Sequence, residues 1–78
     1  MNQKPLNVIG VFGGGQLGRM LALAGQQIGL EVRCYDPKAG ACAGQVAQLA
    51  VGSFGDADSV QRFADGCDVL TCEFESVA

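Results

Sequence analysis

The feature that most constrains the fold is the stretch VIGVFGGGQLGRMLALAG, residues 8–25. A short apolar run at 7–12 is typical of a strand buried on both faces, and three consecutive glycines stop it. The apolar period then changes to that of one face of a helix. That face is formed by Leu17, Met20, Leu21, Ala24 and Ile28. A strand that passes through glycines into a helix indicates an α/β fold.

Strand and helix patterns continue to alternate along the rest of the chain. A second strand is predicted at Glu31–Asp36, and Pro37 ends it because proline cannot continue a central strand. Asp56 is typical of a helix N-cap. The apolar residues that follow it share one helical face, namely Val60, Phe63, Ala64 and Cys67.

Three shorter elements complete the pattern: a helical turn at 43–47, a brief strand at 49–52 and a last strand at 68–75. Strands that alternate with helices favour a parallel sheet with right-handed crossovers. We therefore predict a Rossmann-like open parallel sheet of about four strands, ordered 3-2-1-4, with helices on both faces. Because the chain ends directly after a strand, with no closing helix, we expect residues 1–78 to be a piece of a longer protein.

Composition excludes several classes of function. The net charge of −3 argues against a nucleic-acid surface, and the absence of histidine removes the commonest general base. No apolar run approaches the roughly 20 residues that span a bilayer, and the polar start MNQKPLN does not resemble a signal peptide. The chain is therefore expected to be cytoplasmic, with neither a membrane nor a nucleic acid as partner.

The four cysteines are predicted to be reduced structural thiols. They are Cys34, Cys42, Cys67 and Cys72. None forms a CxxC pair, so their spacing fits neither a zinc site nor a redox motif. We expect no metal site and no catalytic residue in this chain.

The glycine turn predicts a phosphate-bearing ligand. Gly13, Gly15 and Gly18 satisfy G-x-G-x-x-G between a strand and a helix, and Asp36 ends the next strand. Glycines let an anion approach the unpaired N–H groups of the first helical turn. Two questions remain open at this point. The glycines could bind no ligand and serve only to pack the helix against the strand. Asp36 could either bind ribose hydroxyls or initiate a turn with Pro37.

The acidic end of the last strand lies at the same predicted sheet edge. Ligands of open parallel sheets bind beyond the carboxyl ends of the strands. Glu73 and Glu75 would approach the glycine turn there, with their side chains on opposite faces of an extended segment. One of the two carboxylates could then accept from ribose hydroxyls or from an amino group. The alternative is that both belong to an ordinary solvated strand end.

The runs GGGQLGRML, YDP, CAGQVA and CDVLTCEFE together resemble the N-terminal, pre-ATP-grasp domain of 5-(carboxyamino)imidazole ribonucleotide synthases. These are the ATPase subunits of phosphoribosylaminoimidazole carboxylase in purine biosynthesis. The resemblance covers nearly the whole chain, and Ser76 departs from it where the family commonly has asparagine. It implies an ATP-grasp ligase that carboxylates 5-aminoimidazole ribonucleotide with bicarbonate. It also implies that ATP and Mg²⁺ are bound by domains absent from this chain, and that the parent is a homodimer.

The resemblance also implies the site residues. In the similar ATP-grasp glycinamide ribonucleotide transformylase, the two residues after the glycines and the first glutamate of the acidic strand end contact the ribonucleotide. Those positions are Gln16, Leu17 and Glu73 in this chain, with Gly14 and Gly15 against the same group. Leu17 would contribute mainly its backbone N–H.

Two further residues are weaker candidates for the same site. Arg19 and Asp36 are possible anion or ribose contacts. The alternative for Arg19 is an ordinary exposed position on the first turn of the helix, without a ligand contact. Two other functions stay open beside the ligase: the first βαβ unit of an NAD(P)-binding oxidoreductase, and a Rossmann-like scaffold that binds no nucleotide.

Overall fold

The computed structural model describes residues 7–72, which form four strands, two α-helices and one short 3₁₀ helix. The elements in chain order are β1 (Val8–Phe12), α1 (Gln16–Gln27), β2 (Glu31–Asp36), the 3₁₀ helix (Cys42–Gln45), β3 (Gln48–Val51), α2 (Ala57–Asp65) and β4 (Val69–Cys72). The predicted elements are therefore present. The predicted last strand reached residue 75, and its final three residues lie outside the described part of the chain.

The four strands form one parallel sheet in the order β3-β2-β1-β4, as predicted. β1 lies in the centre, and its last residue, Phe12, pairs with Tyr35 of β2 and Cys72 of β4. The carboxyl ends of these three strands therefore meet at one edge of the sheet. Parallel pairing requires crossover connections, each of which returns the chain to the edge of the sheet where the strands begin.

The two faces of the sheet carry different cores, because successive strand residues point to opposite sides. On one face, a fully buried aliphatic cluster lies beneath α1 and the 3₁₀ helix and comprises Val11, Ala22, Val32, Cys34 and Ala43. On the other face, Phe63 of α2 packs against the rings of Phe12 and Tyr35, with ring centroids 5.4 and 5.3 Å apart. Helices therefore cover both faces of the sheet, as expected.

Helix α1 is confirmed, but its apolar face does not pack against the sheet. The residues of α1 that are buried are Gly18, Ala22 and Gly25. A Cβ at Gly25 would lie 2.7 Å from Cγ2 of Val32, so the helix approaches β2 too closely for a larger residue. The apolar residues Leu17, Met20, Leu21, Ala24 and Ile28 are exposed instead, with Met20 at 60% and Ile28 at 76%.

Helix α2 follows its prediction closely. The carboxylate of Asp56 accepts hydrogen bonds from the backbone N–H of Ser59 at 3.2 Å and from its hydroxyl at 3.0 Å. Both bonds favour the charged form and lower the pKa of Asp56 below its ordinary value. The predicted apolar face, which comprises Val60, Phe63, Ala64 and Cys67, is partly buried throughout.

All four cysteines are thiols, as predicted. Cys34 is fully buried in the aliphatic core, where it packs as a small hydrophobe. Burial raises the pKa of the Cys67 thiol, which keeps that side chain neutral. The position of Cys42 is different, because it lies beside the glycine turn.

Candidate functional site

The candidate site lies where β1 passes through Gly13, Gly14 and Gly15 into α1. Gly13 has a φ of 123°, a conformation that side chains rarely allow, and its N–H donates to the carbonyl of Tyr35 at 2.8 Å. Gly15 is the extended N-cap of α1. The turn therefore directs the start of α1 towards the edge where the strands end.

Gly14 is tightly packed within the turn. A Cβ there would lie 3.0 Å from Cβ of Ala41 and 3.1 Å from both Cβ of Asp36 and Cδ1 of Leu49. The N–H of Ala43 donates to the carbonyl of Gly14 at 2.8 Å, which attaches the 3₁₀ helix to the turn. The missing side chain at this position thus serves packing within the protein.

Asp36 supports the glycine turn through its carboxylate. One oxygen accepts from the N–H of Gly14 at 2.8 Å, and the other accepts from the N–H of Lys38 at 2.9 Å. The second contact is the local turn that aspartate commonly forms with the residue two positions later. These contacts show Asp36 initiating the turn and bracing the glycines, and its contact with ribose hydroxyls stays a prediction.

The first turn of α1 presents backbone donors to solvent. The first helical hydrogen bond of α1 runs from the N–H of Arg19 to the carbonyl of Gly15 at 2.9 Å. Within residues 7–72, the backbone N–H groups of Gln16 and Leu17 donate to no acceptor, and both residues are exposed. These two N–H groups and the positive end of the helix dipole can together bind an anionic oxygen.

Arg19 lies on the same turn and is only partly exposed. Its Nε is buried and has no hydrogen-bond partner in the described part of the chain. Side chains of helices lean back towards the N-terminus of the helix, which is the direction of the first turn. An oxyanion bound there would satisfy a donor that is otherwise costly to bury.

The structure brings together Gly14, Gly15, Gln16 and Leu17 with Asp36 beneath them. Glu73 lies outside the described residues, but the preceding Cys72 pairs with Phe12, directly before the glycines. Cys42 was not predicted from the sequence as part of this site. Its Sγ lies 3.4 Å from Oε1 of Gln16. Its only sequence signal was its position among the small residues after β2.

Residues 7–72 contain no group of three or more His, Cys, Asp or Glu side chains arranged to hold a metal ion. Of the helices in this part of the chain, none has the length and apolar character needed to cross a membrane.

This order of strands, with a glycine turn opening α1 at the central strand, defines a Rossmann-like α/β domain. The sequence profile of the family described as "Ribonucleotide synthetase preATP-grasp domain" matches residues 6–78. The chain belongs to this preATP-grasp domain family.

Known proteins agree with this assignment. The N5-carboxyaminoimidazole ribonucleotide synthase of Pseudomonas aeruginosa is 48% identical over 69 residues, covering 88% of this chain and 19% of that protein. The crystal structure of the N5-carboxyaminoimidazole ribonucleotide synthetase from Thermus thermophilus has a TM-score of 0.84 and 58% identity, covering 88% of this chain and 19% of that chain. The Staphylococcus aureus enzyme complexed with ADP has a TM-score of 0.87 and 34% identity, covering 92% and 20%.

This chain therefore spans about one-fifth of the length of these relatives. The similarity extends over nearly all of the described sheet and its glycine turn.

Proposed function

We propose that residues 1–78 are the ribonucleotide-binding N-terminal domain of an ATP-dependent ligase, which carboxylates 5-aminoimidazole ribonucleotide with bicarbonate in purine biosynthesis. The observation that carries this proposal is the pair of exposed backbone donors at Gln16 and Leu17, in a domain 48% identical to part of a synthase of that name. A phosphorylated ribonucleotide supplies the oxygens that such donors bind.

Each site residue then has a separate task. The N–H groups of Gln16 and Leu17 bind an oxygen of the ribonucleotide, and the Gln16 carboxamide adds a side-chain hydrogen bond. Gly15 lets the ligand approach the backbone, and Gly14 keeps the turn packed beneath it. The guanidinium of Arg19 contributes positive charge, and the carboxylate of Glu73 accepts from a ribose hydroxyl or from the amine.

We assign the chemical step to parts of the complete enzyme that lie outside this chain. ATP activates bicarbonate in the complete enzyme, and we assign ATP and Mg²⁺ to its other domains, in line with the ADP complex of the S. aureus relative. The described residues do not offer a carboxylate cluster that suits Mg²⁺. The contribution of this domain is to hold and orient the ribonucleotide, so the chain alone is expected to be inactive.

The exposed apolar face of α1 supports a proposal about assembly. Met20 and Ile28 are 60% and 76% exposed, and Leu70 of β4 is 44% exposed. An apolar stripe along one exposed helix face is typical of contact regions. We assign it to contacts with the remaining domains of the parent enzyme, which we take to be a cytoplasmic homodimer.

The oxidoreductase alternative has less support from the site. An NAD(P) enzyme would use Asp36 for the ribose hydroxyls, whereas Asp36 here braces the turn by accepting the backbone N–H groups of Gly14 and Lys38. A ribonucleotide held by Gln16, Leu17 and Glu73 does not require Asp36.

An amide-resolved NMR titration of the chain distinguishes these functions. We expect 5-aminoimidazole ribonucleotide to shift the amides of residues 14–17 and of Glu73. NADH is expected to shift them less, and ribose 5-phosphate is expected to shift only those nearest the phosphate. Shifts produced by NADH alone and centred on Asp36 would contradict the proposal.

A further inference from the structure

We propose that Cys42 is a positioning residue, which orients the carboxamide of Gln16 so that it presents donors to the ligand. The inference rests on the proposed function and deepens it. It begins from one contact, in which the thiol of Cys42 donates to Oε1 of Gln16 across 3.4 Å. The two residues are 26 positions apart, so the fold rather than the local sequence brings them together.

The 3₁₀ helix that carries Cys42 is attached to the glycine turn. The N–H of Ala43 donates to the carbonyl of Gly14, and Cβ of Ala41 lies 3.0 Å from the position of a Cβ on Gly14. These contacts hold the residues on both sides of Cys42 against the turn. The thiol therefore occupies a defined place beside the start of α1.

The direction of the hydrogen bond decides what Gln16 can recognise. A glutamine side chain has an accepting oxygen and a donating NH₂ group, and rotation about its last bond exchanges them. A thiol donates weakly, and its bond to Oε1 favours the orientation in which this oxygen faces Cys42. The two Nε2 hydrogens, which have no acceptor within residues 7–72, are then left for the ligand.

Gln16 in this orientation selects an acceptor, such as a phosphate or hydroxyl oxygen. It adds side-chain donors to the backbone donors of the same helical turn. A ligand that presented an ammonium group at this point would meet like donors and be disfavoured. Cys42 thus determines specificity without touching the ligand.

The first test uses the ligand-free chain and the side-chain amide signals of its glutamines. In Cys42→Ala we expect the Nε2 group of Gln16 to become as mobile as that of the exposed Gln27, whereas Cys42→Ser keeps it ordered. Gln26 and Gln61 serve as internal references, since their Nε2 groups donate to Val46 and Asp65 at 2.8 and 2.7 Å. Equal order of the Gln16 amide in Cys42→Ala and the unchanged chain would overturn the proposal.

The second test repeats the titration with 5-aminoimidazole ribonucleotide. We expect Cys42→Ala to weaken binding about threefold to tenfold, as for one hydrogen bond, and Cys42→Ser to stay within about twofold of the unchanged chain. Unchanged affinity in Cys42→Ala would overturn the role in specificity. Absence of binding by the unchanged chain would instead contradict the proposed function, while the mobility of the Gln16 amide would still decide the role of Cys42.

Discussion

Substitution of valine for Gly14 is expected to lower the free energy of unfolding by about 1–3 kcal/mol, the usual cost of overpacking a tight site. Three neighbours would lie 3.0–3.1 Å from the new Cβ, and two of them belong to Asp36 and Ala41, which brace the turn and the 3₁₀ helix. A domain of this length has only ~4–12 kcal/mol of stability in total. We expect binding of the ribonucleotide to fall at least ~10-fold, or ~1.4 kcal/mol, as the turn is displaced.

The matched control for this variant is Gly40→Val. Gly40 is exposed, has an ordinary backbone conformation, and no heavy atom lies within 4 Å of a Cβ built on it. Urea unfolding gives the stability of both variants, and the amide titration gives their affinities. If Gly14→Val matched Gly40→Val in both measurements, the packing of the 3₁₀ helix on the turn would be irrelevant to the site.

Substitution of proline for Gln16 is expected to remove the ligand's backbone donor without unfolding the helix. Proline suits the first helical position, and the preceding Gly15 has φ −81° and ψ −158°, an extended conformation that proline tolerates in its neighbour. Gln16→Ala removes the side chain alone and should weaken binding about threefold to tenfold. Gln16→Pro should weaken it by roughly a further tenfold or more, because a hydrogen bond to a charged group contributes ~1.5–3 kcal/mol.

Ala57→Pro makes the same change at the first position of α2, where the preceding Asp56 is also extended. We expect this variant to bind the ribonucleotide as the unchanged chain does. The free energy of unfolding of both proline variants is expected to lie within ~0.5 kcal/mol of that of the unchanged chain. Dissociation constants come from the amide titration. Equal affinities of Gln16→Ala and Gln16→Pro would show that the backbone N–H does not hold the ligand.

The arrangement of the sheet could be predicted from local signals. Strands stopped by glycine or proline and the N-cap at Asp56 are local features, and parallel connections allow few strand orders. For these reasons the order β3-β2-β1-β4 and the position of α2 agree with the prediction.

The packing of α1 could not be predicted from apolar periodicity. Periodicity assigns the large residues to the core, whereas close approach to β2 requires the small residues Gly18, Ala22 and Gly25. This chain spans about one-fifth of the length of its relatives. An apolar stripe on such a domain can make contacts outside the domain.

The candidate site, like the fold, could be predicted from the sequence only in part. The glycines and the first turn of α1 lie together because they are neighbours in sequence. The contact of Asp36 with Gly14 depends on the pairing of β1 with β2. The contact of Cys42 with Gln16 depends on the path of the chain after β2, where the sequence carries a proline, a lysine and small residues. Such long-range contacts have no periodic signal.

The most direct test of the proposed function is a chimera in which this chain replaces the matching N-terminal segment of the P. aeruginosa synthase, 48% identical over 69 residues. Release of phosphate from ATP is measured as 5-aminoimidazole ribonucleotide is added, with ADP binding as the check that the other domains are intact. We expect ribonucleotide-dependent hydrolysis with a KM within about tenfold of the parent enzyme, or ~1.4 kcal/mol, and its loss in the Gln16→Pro chimera. A chimera that binds ADP normally but hydrolyses ATP without any response to the ribonucleotide would contradict the assignment of this domain as the ribonucleotide-binding unit.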